Sequence, residues 1–245
     1  MNAESPNILT SVLVAAGPLA LLAFGLIPAR QLNRHGLRAA RVGACVAFVA
    51  LAAALFAVVS LACFGKADLK FDVAGPFQFG VYFDNLSAVV LTLVAFLLAV
   101  VTRFSVNYLA GDPNQGRFTK WLCLTGSSVL MLVISGNLVQ LALAWCATSL
   151  CLHQLLVFYP ERPGAILAAR KKFIISRLGD ACLLTVIVLV YQKFHTWDFS
   201  EIFHQVRHLR EVGNAAGGWE ISAICFLLVA GAMLKSAQFP FHSWL

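Results

Sequence analysis

Charge is scarce in this sequence. Only 12% of its residues are Asp, Glu, Lys or Arg, about half the share carried by ordinary soluble domains. Several motifs are missing as well. There is no Gly-rich phosphate loop, nucleophile elbow or zinc-protease signature, so nucleotide hydrolysis and hydrolase chemistry have nothing to rest on. No basic tract interleaved with aromatics is present, so the net charge of +7 does not point to nucleic acid. The seven cysteines (Cys45, Cys63, Cys123, Cys146, Cys151, Cys182, Cys225) form no Cys-x-x-Cys pair and lie in apolar runs. They read as small buried hydrophobes, not disulfides or metal ligands. No cofactor and no metal site are expected.

What is present is apolar. Hydrophobic residues make up 60% of the chain and its mean hydropathy is +0.82, so the solvent that buries this core is lipid. Apolar runs near 8–28, 42–64, 84–108, 119–136, 138–159, 171–192 and 219–239 each approach the roughly 20 residues that a 30 Å hydrocarbon core requires. The first run has only Glu4 before it and no basic segment, so it reads as a retained helix and not a cleaved signal. Asn33 with Gly36, Gly65, Gly111 to Asn114, Gly136-Asn137, Pro160 to Gly164, and Gly213 to Gly218 separate the runs. The expectation is an all-α integral membrane protein of about seven transmembrane helices, the seventh broken at Pro240.

Basic residues alternate between the loops. Arg30, Arg34, Arg38 and Arg41 fall in the first, Arg103, Arg117 and Lys120 around the third, and Arg162, Arg170, Lys171, Lys172 and Arg177 around the fifth. The even loops carry only Lys66, Lys70, Lys193, Arg207 and Arg210. By the positive-inside rule the odd loops are cytoplasmic and the N-terminus periplasmic. In the sixth loop, 194–209 mixes Trp197, Phe199, Ile202 and Phe203 with charges and reads as an interfacial helix. Glu201, His204 and His208 there have helical spacing, but a solvated amphipathic face explains them better than a metal site.

Few ionisable groups remain inside the spans. Asp180 lies about 13 Å into the sixth span, and Arg177 sits three residues earlier on the same face. That pair is either a lock between helices or an ion site, since intramembrane charges are functional candidates by default. Lys235 is expected to find no carboxylate in its own helix. It is then either a relay group, whose protonation a movable counter-charge switches, or a lysine snorkelling to the surface. Cys146 and His153 are seven apart and share a face of the fifth span. His153 is a packing residue or a proton carrier. Lys171 reads as an interface anchor, while Lys172 has the option of pointing inward. His242 follows Pro240 as a secondary candidate.

These residues resemble the antiporter-like proton-translocating subunits of respiratory complex I. Phe83-Asp84-Asn85-Leu86-Ser87 with Val106-Asn107-Tyr108, the stretch from Asn137 to Tyr159, the run Lys172 to Asp180, and Lys235-Ser236-Ala237-Gln238-Phe239-Pro240 carry the likeness in order, across about residues 80–245. It divides the chain into N-terminal helices at 1–79 and an antiporter-like domain at 80–245, the third to seventh spans of an incomplete first repeat. The family usually has Trp-Glu in the fifth helix, and that glutamate works with the lysine of the broken helix. Here the pair is Trp145-Cys146. Trp145 to His153, followed by Phe158-Tyr159-Pro160-Glu161-Arg162-Pro163, is similar to a narrower group, the DabB-type membrane subunits of bacterial inorganic-carbon accumulation complexes.

The resemblance implies a bacterial inner-membrane subunit that conducts cations, protons first, and catalyses no reaction itself. It implies a large cytoplasmic DabA-type zinc partner with a carbonic-anhydrase-like site. Lys235, Asp180 and Arg177 would form the relay, with His153 partly replacing the glutamate and Lys172 and Cys146 beside them. Members of the family continue into further helices, so the chain is expected to be a piece of a longer protein. Two other readings stay open: a proton-translocating subunit of a respiratory NADH dehydrogenase or cation/proton antiporter, and a passive membrane anchor.

Overall fold

The computed structural model describes residues 8–74, 77–211, 218–236 and 238–239. The chain runs through α1 (Ile8–Leu26), a short α2 (Ala29–Arg34), α3 (Gly36–Phe64), a hairpin of β1 (Ala67–Ala74) and β2 (Phe77–Phe83), and α4 (Asn85–Tyr108). It continues with α5 (Gln115–Val133), α6 (Leu138–Leu156), α7 (Pro163–Phe194), α8 (Phe199–Glu211) and α9 (Gly218–Lys235). Among the described residues, α1, α3, α4, α6, α7 and α9 are long and apolar enough to cross a membrane. α5 has 19 residues but carries Arg117, Lys120 and several hydroxyls, so its apolarity falls short of theirs. It packs against α1, α3, α4 and α6, which shield it. The proposed break at Pro240 and the candidate His242 lie outside the described residues.

Local chemistry sets the helix starts. Asp84 caps α4 by accepting from Ser87 N at 2.9 Å, and Asn137 caps α6 by accepting from Gln140 N at 2.7 Å. Pro163 occupies the first turn of α7, where its missing N–H costs no intrahelical bond. α7 therefore begins eight residues before the position expected for it, which places Asp180 about 25 Å from its start.

The loops sort cleanly between two ends of the bundle. At one end Arg117 N donates to Asn33 Oδ1 (2.8 Å) and the Tyr159 hydroxyl donates to Asp112 Oδ2 (2.9 Å), which ties together the first, third and fifth connections. At the other end Tyr82 N donates to Ile134 O (3.1 Å) and Leu138 N to Trp197 O (2.9 Å). α5 therefore traverses the same layer as its neighbours, despite its polarity.

The hairpin is the element that hydropathy alone left as loop. Its strands pair antiparallel from Ala67 opposite Phe83, and the segment Ala67-Asp68-Leu69-Lys70 already alternates apolar with charged. Lys70 Nζ binds Asp198 Oδ1 (2.9 Å) and Ser200 Oγ (2.8 Å), which pins the hairpin to the start of α8. Gly136 N donates to Gly80 O at 3.0 Å, and a Cβ on Gly136 would come 2.8 Å from the Gly80 carbonyl carbon, so this crossing requires glycine. α8 falls within the sixth connection, where a helix over 194–209 is expected, and begins at Phe199. None of its residues is buried, while Phe199, Ile202 and Leu209 lean on the cluster at the ends of α6, α7 and α9.

Two apolar clusters make up most of the core among the described residues, and a small third one joins Ala40 and Ala44 to Val106. The larger of the two joins α1, α3, α4 and α5 through alanines of α3 and residues such as Leu21, Phe83, Leu91 and Leu130. The smaller joins α6, α7 and α9 through Leu138, Leu183, Val186 and Ile224. Large apolar side chains cover the outside, among them Phe48, Phe56, Leu93, Phe96, Ile174, Leu184 and Phe226. An outward apolar shell is what a lipid solvent selects. The cysteine expectation needs correction here. Only Cys123 is buried, whereas Cys45, Cys63 and Cys225 face outward, because a weakly polar thiol is at home in hydrocarbon.

Candidate ion pathway

α6, α7 and α9 place most of the intramembrane charges in one cluster, built around the α6 turn from Trp145 to Ser149. Lys235, at the last turn of α9, points across to α6 and not out to the surface. Its Nζ donates to Trp145 O at 2.8 Å and to Ser149 Oγ, and it lies 4.5 Å from the centroid of the Trp145 ring. A cation over an indole face is attracted by the ring quadrupole, more strongly once water is removed. The edge of the same indole serves the opposite charge. Trp145 Nε1 donates to Asp180 Oδ1 at 2.9 Å.

Asp180 is buried in the middle of α7, with 6% of its surface exposed. Its second oxygen, Oδ2, has no other hydrogen-bond partner among the described residues and is met by Arg177 Nη2 at 2.7 Å, as the three-residue spacing anticipated. Arg177 also lies over the Phe173 ring, 5.0 Å from its centroid. Trp145 thus stands between lysine and aspartate, with its π-face toward one and its N–H toward the other. The expectation that Lys235 has no carboxylate in its own helix fails on sequence, since α9 begins with Glu220. Glu220 is paired with Lys193 at 2.6 Å, fifteen residues from Lys235, so it belongs to the other end of the helix.

Lys172 does point inward. It is 5% exposed and its Nζ donates to Ser149 O at 2.9 Å. Ser149 therefore holds two ammonium groups, the half-buried Lys235 by its hydroxyl and the buried Lys172 by its carbonyl. Hydrogen-bond acceptors of this kind are what make a buried charge tolerable. Cys146 is half-buried and lies within electrostatic range of Asp180, Arg177 and Lys235. His153 is one turn beyond Ser149 on the same face. Its ring packs 5.5 Å from Phe173, and its buried Nδ1 has no hydrogen-bond partner among the described residues. It stands apart from the cluster. Two members were not singled out from sequence alone: Trp145 as the link and Ser149 as the joint. The available signal was that a tryptophan inside an apolar helix must find a partner for its N–H.

Residues 135–245 match the family described as NADH:quinone oxidoreductase/Mrp antiporter, transmembrane. Residues 72–119 match the N-terminus of chain 5 of NADH-ubiquinone oxidoreductase (complex I). The chain is 38% identical over 242 residues to the probable inorganic carbon transporter subunit DabB2 of Halothiobacillus neapolitanus, covering 96% of this chain and 43% of that protein. It is 40% identical over 163 residues to the probable inorganic carbon transporter subunit DabB of Hydrogenovibrio crunogenus, covering 66% of this chain and 30% of that protein. The Mrp complex from Dietzia sp. DQ12-45-1b contains a chain that superposes with TM-score 0.72 at 25% identity, over 97% of this chain and 25% of that one.

The chain belongs to the antiporter-like membrane-subunit family of complex I and Mrp antiporters, and within it is similar to DabB subunits of inorganic carbon transporters. It spans less than half the length of these curated relatives.

Proposed function

We propose that this chain is the ion-conducting part of a bacterial inner-membrane subunit that energises inorganic-carbon accumulation. Cation flow, carried by protons, is coupled to CO2 hydration in a large cytoplasmic DabA-type partner that holds zinc in a carbonic-anhydrase-like site. The membrane chain catalyses no reaction. Its odd connections face the cytoplasm and its N-terminus the periplasm, a reading supported by the excess of Arg and Lys at the Asn33, Asp112 and Tyr159 end.

The observation that carries the proposal is Lys235 turned into α6, over the Trp145 ring, with Cys146 where the family has glutamate. A lysine that merely snorkelled would put its ammonium at the interface. Here it is held by a carbonyl and a hydroxyl, and Asp180 is coupled to it through Trp145. In a low-dielectric interior, a proton leaving one member changes the energy of the next by Coulomb interaction alone. The relay runs between Lys235 and Asp180, with Arg177 neutralising Asp180, Lys172 joined through Ser149, and His153 one turn further along α6.

In cells carrying the full-length complex, Lys235→Ala and Asp180→Ala should each abolish high-affinity carbon uptake while the complex still assembles. An uncoupler should collapse uptake in the unsubstituted protein. Full uptake in both variants would sink the relay, and uptake indifferent to the uncoupler would favour a passive anchor. Co-purification with quinone-reductase subunits would favour a respiratory role, the reading to which the complex I match over 72–119 lends weight.

A further inference from the structure

α3 and α4 run antiparallel and form one of the most extensive helix pairs in the molecule. Their shared outer seam is not filled. At the end that gathers the basic connections lies a crevice of about 400 Å³, lined by Arg41, Cys45 and Phe48 of α3 and Arg103 and Asn107 of α4. Further along the same two helices lies an apolar groove of about 550 Å³, lined by Leu51, Leu55 and Val58 on one side and Val89, Leu93 and Phe96 on the other. Both arginines are exposed, and neither is paired with a carboxylate among the described residues.

We propose that this seam binds an anionic phospholipid, its phosphate between Arg41 and Arg103 and one acyl chain along the groove. The charge is complementary, because two guanidiniums without counter-ions face the level at which lipid phosphates lie, and guanidinium is suited to bidentate phosphate contact. Asn107 adds an amide donor for the glycerol or phosphate oxygens. The length also fits. The near end of the groove, at Phe96 and Leu51, lies about 10–15 Å from Arg103 and Arg41 along their helices, within the roughly 15 Å of hydrocarbon in one leaflet. Basic pockets between helices on the cytoplasmic side are the known chemistry of such lipid sites. A free phosphate would gain only from two solvent-facing arginines and nothing from the groove, so the lipid is the occupant. The inference requires the membrane fold, but not the ion pathway.

The test uses full-length protein in detergent, titrated with phosphatidylglycerol or phosphatidylcholine and read by native mass spectrometry. Phosphatidylglycerol should bind preferentially, and Arg41→Gln/Arg103→Gln should weaken it on the order of 30-fold. Arg30→Gln/Arg34→Gln should leave binding unchanged. As an independent readout that keeps both arginines, Leu93→Trp should be quenched more strongly by brominated phosphatidylglycerol than by brominated phosphatidylcholine. Equal binding of the two lipids, retention of phosphatidylglycerol by the Arg41/Arg103 variant, or its displacement by millimolar inorganic phosphate would overturn the proposal.

Discussion

Around α3 the interior is alanine: Ala47, Ala50, Ala54 and Ala57 are almost wholly buried, and Leu21, Leu91 and Leu130 fill the space beside them. Around α6 the interior contains Lys172, Asp180, Ser149 and Thr148, each under 10% exposed. The first half of the bundle closes by bringing backbones together through small residues, the way helices associate where lipid offers no hydrophobic drive. The second half also brings α7 and α9 together at Gly179 and Gly231, but it places charged side chains beside α6 and satisfies them one by one. A region built only for stability has no need of buried lysines, which are costly in hydrocarbon. The cost on the α6 side is therefore read as function, and the alanine side as scaffold.

That contrast can be broken at either end. The largest effect is expected from Gly116→Ala in the scaffold, where a Cβ would come 2.4 Å from the Leu32 carbonyl carbon. Backbone cannot yield there, so a loss of about 3 kcal/mol and little folded protein by size-exclusion yield are expected. Normal yield would show that the scaffold is looser than drawn.

On the other side, Asp180→Asn keeps shape and removes charge. Arg177, its partner, is 41% exposed and stays solvated, so assembly should remain intact while transport is lost. Cys146→Glu on that background should restore part of the activity, because it returns a carboxylate to the neighbourhood of Lys235. No recovery would mean that a carboxylate at position 146 does not act on Lys235 in this chain. Trp145→Phe keeps the ring but removes the N–H donated to Asp180, a charge-assisted bond of about 1.5–3 kcal/mol. Transport in that variant should fall about tenfold or somewhat more, a smaller loss than in Asp180→Asn.

The smallest effect concerns the hairpin, at the opposite end from the basic connections. Burial alone would raise the Asp198 carboxyl, but hydrogen bonds from Ser200, Lys70 and the Glu201 amide outweigh it and hold it below its ordinary value. A group depressed in the folded state stabilises above its unfolded value near 4, and that contribution is lost as pH falls through the lower, folded value. Hydrogen exchange in the hairpin should therefore quicken only below about pH 4. Lys70→Met should cost ~1 kcal/mol or less, since the lysine is 39% exposed. A larger loss would make the hairpin part of the scaffold and not an attachment to it.

How much of this was legible follows from what each element is made of. Hydropathy located all the long helices, because lipid demands an unbroken apolar length that few other constraints imitate. α5 shows the reverse case: its polar residues suit a shielded position, which packing alone reveals. The hairpin escaped because the alternation from Ala67 to Lys70 is too short to stand out between two long apolar runs. At the site, the Arg177–Asp180 pair follows from helical spacing alone. Trp145 and Ser149 did not announce their roles, since which partner an indole N–H or a carbonyl finds depends on neighbouring helices far away in sequence. His153 was placed on the right face, but spacing along one helix cannot tell that its ring ends beside Phe173 and not beside Lys235.

The central claim is that Lys235 lies on an ion path. The most direct measurement is proton flux into vesicles containing the full-length complex, followed with an internal pH-sensitive dye under an imposed membrane potential. The account predicts that flux disappears in Lys235→Ala while the same amount of assembled complex is recovered. Flux equal to that of the unsubstituted protein would contradict it.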